Sequence, residues 1–244
     1  MTNKNMFQRR QILQSSAAGL VWAAIGAPAF SFAAAAKPKI GIIGAGRIGG
    51  KLGEYWAKAG YQVMLSARDL GPVNELVAKI GANAKAGTPK EAAAFGDIVM
   101  ISVPFGALPQ VGKDFAAELK GKIVLDTCNP STRRDGDMAN EAIQKGTGVV
   151  SPTYLPGTRY VRAFNPVPFT VVNTEAHRAG EQIGVPIASN DKAALEITKQ
   201  LVIDAGFEPV VVGDLSTAKS FDPGTPVYGK GLAASELRAQ LGVK

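Results

Sequence analysis

From residue 39 to residue 126, short apolar runs alternate with longer stretches of helical spacing. Residues 39–43 form a compact apolar run that ends at glycines, which predicts a buried strand. Helical spacing follows over 48–58 and stops at Gly60. Residues 61–66 read as a second strand, and 72–80 as a helix with proline in its first turn. A short strand is expected at 82–86. Thr88-Pro89-Lys90-Glu91 then has the form of a capping box, with Thr88 as cap and Glu91 reaching back to it. Strands at 98–103 and 123–126 flank a helix at 108–119.

Beyond Gly146 the rhythm loosens but persists. Residues 160–164, 185–188 and 209–212 read as strands, and 192–205 and 233–241 as helices. Strict strand–helix alternation implies right-handed βαβ units and a parallel sheet. The fold class expected is α/β: a Rossmann-type, doubly wound, mainly parallel sheet. Residues 37–244 read as a single domain whose C-terminal half extends the same sheet, since neither a low-complexity linker nor a repeat divides them.

The first strand runs directly into Gly44-Ala45-Gly46-Arg47-Ile48-Gly49, which opens the first helix. A lone G-x-G-x-x-G is a weak signal, but strand before and helix after is the context that gives it meaning. Gly44 permits the tight turn, Gly46 clears space for a pyrophosphate, and Gly49 lets the helix pack on the strand. The free N–H groups of the helix start would hold the anion. Arg47 either faces phosphate or is solvated at the helix start.

The end of the second strand distinguishes the two nicotinamide dinucleotides. An acid there would bind the ribose 2′-hydroxyl of NAD. The chain reads Ser66-Ala67-Arg68-Asp69 instead. A serine hydroxyl and a planar guanidinium suit a 2′-phosphate, so NADP is expected. Asp69 lies past the usual position and is expected to be solvated or locally paired.

Charge and composition narrow the setting. The formal net charge is +7, and residues 1–36 contribute Lys4, Arg9 and Arg10 with no acid, so the rest is only mildly basic. No basic cluster with interleaved aromatics supports nucleic-acid binding. Residues 1–36 join a basic start to an Ala-rich apolar stretch ending in Ala33-Ala34-Ala35-Ala36, the pattern of a secretory signal. Arg9-Arg10 resembles a bacterial twin-arginine signal, which implies a periplasmic protein. An uncleaved membrane anchor is the alternative, because 17–36 is about long enough to span. Cys128 stands alone, so no intramolecular disulfide forms, and with one histidine, His177, no His/Cys zinc site is expected.

Further motifs add to the loop: Ile42-Ile43 before it, Ser66-Ala67-Arg68, Ile101-Ser102-Val103-Pro104, Leu125-Asp126-Thr127-Cys128-Asn129-Pro130 and Val161-Arg162-Ala163-Phe164-Asn165. Residues 204–209 and 213–215 extend the set. Together they resemble the NADP oxidoreductases that depend on the deazaflavin coenzyme F420. They also resemble the related reductase domain of six-transmembrane metalloreductases. The resemblance implies pyrophosphate contacts from Ala45, Gly46, Arg47 and Ile48. It places Ala67 and Arg68 around the 2′-phosphate, and Val103 and Ala163 along the ribose and nicotinamide. Ala67 replaces a frequent hydroxyl residue, with Ser66 as the substitute. The proline-rich turn at 165–168 departs from the family at the expected acceptor site.

Hydride transfer needs stacking and orientation rather than a nucleophile. No catalytic group is therefore assigned; Pro104, Asn129 and Asn165 are the candidates nearest the chemistry. Pro104 and Pro130 either shape the cleft or are ordinary loop prolines. Cys128 reads as a buried structural thiol, with a reactive one as the alternative, and His177 as a surface residue. The expected function is hydride transfer between NADP(H) and a flavin, deazaflavin or other small acceptor. An exported NADP-binding redox partner and an imine or carbonyl reductase of the pyrroline-5-carboxylate reductase type are the alternatives. A membrane redox partner and a homodimer are left open.

Overall fold

The computed structural model describes residues 37–244; residues 1–36, including the expected export signal, lie outside the described residues. The first half runs β1 (Ile40–Ile43), α1 (Arg47–Lys58), β2 (Val63–Ser66), α2 (Gly71–Ile80), β3 (Ala84–Gly87), α3 (Pro89–Phe95) and β4 (Ile98–Ile101). It continues with α4 (Leu108–Asp114), α5 (Ala116–Leu119) and β5 (Ile123–Asp126). Three helices follow: α6 (Thr132–Asp135), α7 (Asp137–Lys145) and α8 (Thr147–Tyr154). The chain ends with β6 (Arg159–Ala163), α9 (Phe169–Thr174), β7 (Gly184–Ala188), α10 (Lys192–Asp204), β8 (Glu208–Gly213) and α11 (Ala234–Leu241).

All eight strands join one sheet in the order β3-β2-β1-β4-β5-β6-β7-β8. Neighbours from β3 to β6 are parallel; β7 pairs antiparallel with β6, and β8 runs parallel to β7. This is the expected doubly wound, mainly parallel arrangement with its C-terminal extension. The strand order reverses between β1 and β4, and ligands bind at the carboxyl ends of the strands flanking such a switch point.

Alternation along each strand divides the core in two. Ile42, Leu65, Met100, Leu125 and Val161 face one layer with Leu52 and Trp56 of α1. Ile43, Val99, Ile101 and Val124 face the other, with Phe105, Leu108 and Val111. The Trp56 indole N–H donates to the Leu201 carbonyl at 2.8 Å, tying α1 to α10 beneath the sheet. The capping box forms as expected, with Thr88 Oγ1 accepting from the Glu91 amide and the Glu91 carboxylate accepting from the Thr88 amide.

Three expectations change. The helix expected at 108–119 is two helices, because Phe115 leaves the helical region at φ −120°, ψ 21° and packs its side chain against the core. The strand expected at 98–103 pairs only to Ile101 before turning into the site. Residues 132–154, read without helices, form α6, α7 and α8. There the packing depends on contact rather than on a clean apolar stripe: a Cβ at Gly148 would come 1.8 Å from the Leu215 carbonyl oxygen. Among the described residues no helix is long and apolar enough to cross a membrane.

Candidate functional site

The phosphate loop is built by hydrogen bonds to the neighbouring strand. The Gly44 and Ala45 amides both donate to the Ser66 carbonyl, at 3.0 and 2.8 Å, which folds the chain over the end of β2. Gly44 has φ +104°, and a Cβ there would lie 2.3 Å from the Ser102 carbonyl oxygen. A Cβ at Gly49 would lie 2.1 Å from the Gly44 carbonyl oxygen, so both positions are closed to side chains by backbone. Gly46 is different: a Cβ there would meet nothing within 4 Å. Its side chain is missing where open space lies ahead of α1. That helix has no side-chain cap and no acid in its first turn, so its leading N–H groups have no capping partner among the described residues.

Two clefts open on either side of this loop and meet at Ser102. The first, of about 660 Å³, has Gly44, Ala67, Arg68, Val103 and Pro104 in its walls. Arg68 is exposed at its rim. Its far wall carries Arg134 and Asp135, paired at 2.8 Å; Arg134, with backbone amides of Ser131 and Gly106, holds the Asp135 carboxyl below its usual range. The second cleft, of about 560 Å³, has Gly46, Arg47, Ile48, Asn129 and Asn165 in its walls, with the turn at 165–168 and Tyr228 opposite. Arg47 stacks its guanidinium over the Phe169 ring, 4.5 Å from the centroid, at the mouth of this cleft.

Beneath the second cleft lies a buried ionic network. Arg162 on β6 is wholly inaccessible and sits between two carboxylates: Nη1 is 3.2 Å from Asp126 and Nη2 is 3.5 Å from Asp222. Burial alone would lower its pKa; Asp126, Tyr160 and Asp222 outweigh that and raise it. The Tyr160 hydroxyl donates to Asp126, and burial, with that carboxylate, pushes the phenol well up. Arg162 Nη2 donates to Asn129 Oδ1 at 3.0 Å, and Asn129 Nδ2 donates to the Asn165 carbonyl at 2.7 Å. Charge buried under the sheet edge thus fixes the two asparagines that line the cleft. Phe164, between Arg162 and Asn165, has φ +61°, a rare value for a bulky residue and one that concentrates at functional sites.

Several expected site residues take other roles. Ser66 is wholly buried, and its hydroxyl donates to the Ile42 carbonyl at 2.7 Å, so it offers nothing to a 2′-phosphate. Ala163 is also wholly buried within the core, and its neighbours Phe164 and Asn165 reach the cleft instead. Ala45 spends its amide on Ser66 and packs against the core, leaving Gly46, Arg47 and Ile48 as the loop residues that line the second cleft. Asp69 is locally paired, accepting from the Gly71 amide at 3.0 Å.

Cys128 is buried; burial first, then Asp126, pushes its thiol well above the usual value of 9.0. That is the structural reading of the cysteine, not the reactive one. His177 is exposed, with its ring edge-on to Tyr55. Pro104 borders the first cleft, whereas Pro130 is buried. Tyr228, Phe169 and Ser102 were missed as cleft residues. Tyr228 and Phe169 arrive by tertiary folding from segments without a local motif. Ser102 alone carried a signal, in its place beside Val103 at the end of an apolar strand.

The fold, the glycine-rich loop and the two clefts are those of a Rossmann-type dinucleotide-binding domain. Residues 39–130 match the family described as NADP oxidoreductase, coenzyme F420-dependent, so the resemblance read from the motifs holds over that stretch. None of the curated proteins matches the chain. Among solved structures, protein SMa0349 of Sinorhizobium meliloti is 24% identical, with a TM-score of 0.67 over 81% of this chain and 96% of that one. A protein from Arthrobacter sp. FB24, provisionally assigned as an F420-dependent NADP-reductase, is 22% identical, with a TM-score of 0.60 over 75% and 88%. An imine reductase from Myxococcus stipitatus in complex with NADP+ is 19% identical, with a TM-score of 0.54 over 84% of this chain and 60% of that one. These structural likenesses establish the shared fold.

Proposed function

We propose that this protein is a reductase that binds NADPH across both clefts and passes its reducing equivalents to a flavin-like, deazaflavin-like or other small acceptor. The observation that carries this reading is the meeting of the two clefts at Ser102, with Arg68 at one end and the open space at Gly46 between them. When bound, NADPH supplies a hydride. The residues fit the cofactor: the space a Gly46 Cβ would fill is left for the pyrophosphate, and the first-turn amides of α1 hold its charge. Arg68 takes the 2′-phosphate with a planar, permanently charged fork. Val103, Pro104 and Ala67 give the first cleft an apolar wall for the adenosine. Asn129 and Asn165 orient groups at the second cleft, and the turn at 165–168 with Phe169 gives it an apolar wall. No side chain of this chain is assigned a covalent role.

Titration of purified protein with NADPH, followed by nicotinamide fluorescence, tests the reading. Enhancement or quenching that saturates supports it; no change at millimolar NADPH contradicts it. Turnover with free flavins separates a reductase from an exported redox partner that only carries NADP. Turnover of a cyclic imine with NADPH separates the imine-reductase alternative from a flavin-type acceptor; the chain spans 60% of the length of the imine reductase whose fold it shares.

We further propose that Arg9-Arg10 directs twin-arginine export to the periplasm and that NADP(H) is loaded before export. Folded export lets a cytoplasmic cofactor travel inside its site. Native mass spectrometry of periplasmic protein tests this: bound NADP(H) supports it, and cofactor-free protein with weak NADPH affinity contradicts it.

A further inference from the structure

The second cleft has a wall that the dinucleotide motifs do not supply. After β8 and a short 3-10 segment (Leu215–Phe221), residues 222–232 loop back across the sheet edge before α11. The loop is anchored at three points. Asp222 accepts from the Thr147 amide and hydroxyl, at 2.8 and 2.5 Å, and faces Arg162. The Val227 side chain is buried. The Gly229 amide donates to the Pro166 carbonyl at 2.8 Å, which joins the loop to the proline-rich turn. Between the last two anchors, Tyr228 enters the cleft wall opposite the phosphate loop.

Of the polar side chains around this cleft, Asn165 Oδ1 is buried without a partner among the described residues, whereas other polar groups are engaged. Asn129 uses both ends of its amide, Asn165 Nδ2 donates to the Phe221 carbonyl at 3.2 Å, and Thr127 donates to the Ile101 carbonyl at 3.2 Å. The Tyr228 hydroxyl makes no hydrogen bond among the described residues. Among the described residues no carboxylate lines the cleft, and Arg47 is its one charged wall residue. Phe169, the prolines and the Tyr228 ring make the rest apolar and flat-sided.

We propose, on the basis of the reductase reading above, that Tyr228 contacts the acceptor, donating a hydrogen bond to a carbonyl or ring nitrogen at the edge of a planar, neutral or anionic ring system. The phenol proton is retained at neutral pH, since burial raises its pKa from the usual 10.0. Tyr228 therefore acts as a fixed donor that orients the acceptor and sets which acceptors fit. No proton transfer from it is required.

The test uses riboflavin as the probe, titrated into full-length protein saturated with NADP+ and followed by quenching of flavin fluorescence. Wild type, Tyr228→Phe and Tyr228→Ala are compared, with NADPH affinity and the melting temperature measured on each. The expected result is riboflavin binding by the wild type, weakened about 5- to 10-fold in Tyr228→Phe and further in Tyr228→Ala. NADPH affinity should stay within about twofold throughout. Riboflavin binding unchanged in both variants overturns the proposal, as does wild type that binds NADPH but not riboflavin. Equal losses of NADPH and riboflavin affinity also overturn it, since they mark a structural role. Failure of the wild type to bind NADPH overturns the reductase reading itself, and that outcome is distinct from the others.

Discussion

The guanidinium of Arg47 lies 4.5 Å from the centroid of the Phe169 ring, joining the first turn of α1 to the turn that walls the second cleft. Phe169 remains 42% exposed, so the contact adds little to folding and more to the placement of Arg47. A cation–π contact at an exposed site contributes about 0.5–1 kcal/mol. Phe169→Ala is expected to weaken NADPH binding about 2- to 5-fold with no change in melting temperature. Phe169→Tyr should retain the wild-type affinity. Fluorescence titration beside thermal melts reads both quantities.

The glycines of the loop separate folding from binding. A Cβ at Gly49 meets the Gly44 carbonyl oxygen, whereas one at Gly46 meets nothing of the protein. Gly49→Ala should destabilise the fold by about 1–3 kcal/mol, as overpacking against a fixed backbone does. Gly46→Ala should leave the urea midpoint in place and reduce NADPH affinity at least tenfold. A Gly46→Ala protein that binds NADPH normally would remove the pyrophosphate from that space.

Arg162 is the structural cation of the site. Its loss would leave Asp126 and Asp222 buried without their counter-charge, and breaking such a set typically costs about 3–5 kcal/mol. Arg162→Met is expected to lower the urea midpoint by a corresponding amount. It should also loosen residues 222–232, seen as faster amide exchange at Val227 and Gly229. Normal stability in Arg162→Met would mean the carboxylates do not depend on it.

The thiol and phenol under the site give stability a sign at high pH. The folded protein keeps Cys128 and Tyr160 protonated above the usual values of 9.0 and 10.0, while the unfolded chain releases those protons there. The native state then binds more protons than the unfolded one, so stability is full below pH 9 and falls above it. Urea melts at pH 7.5 and pH 10 should show the decline, and Cys128→Ala should lessen it. A thiol reagent at pH 8 should modify Cys128 only after denaturation.

Much of the fold was legible because its signals are local. Thr88 and Glu91 announce a helix start within four residues, and the run from Ile40 to Gly49 encodes strand, turn and helix together. Residues 132–154 were not legible, since Gly136, Gly146 and Pro152 interrupt any period and α8 is held by the close approach of Gly148 to Leu215. The site divides the same way. Gly46 and Arg68 were readable from the loop and the strand end. Ser66 carried a hydroxyl at a plausible position, but its inward-facing register sends that hydroxyl to Ile42. Ala163 stood in a family motif, yet strand alternation buries it and the strained turn at Phe164 presents Asn165 in its place. Tyr228 reaches the cleft through a loop anchored far away in sequence, at Thr147, Arg162 and Pro166.

In the proposed reading, Arg68 at the rim of the first cleft selects the 2′-phosphate. Equilibrium dissociation constants for NADPH and NADH, measured for wild type and Arg68→Ala, test it most directly. A charge-assisted contact contributes about 1.5–3 kcal/mol. Wild type should therefore prefer NADPH by about 10- to 100-fold, and Arg68→Ala should bring the two constants together by weakening NADPH alone. Equal binding of NADH and NADPH by the wild type, or a preference that survives Arg68→Ala, would contradict the account.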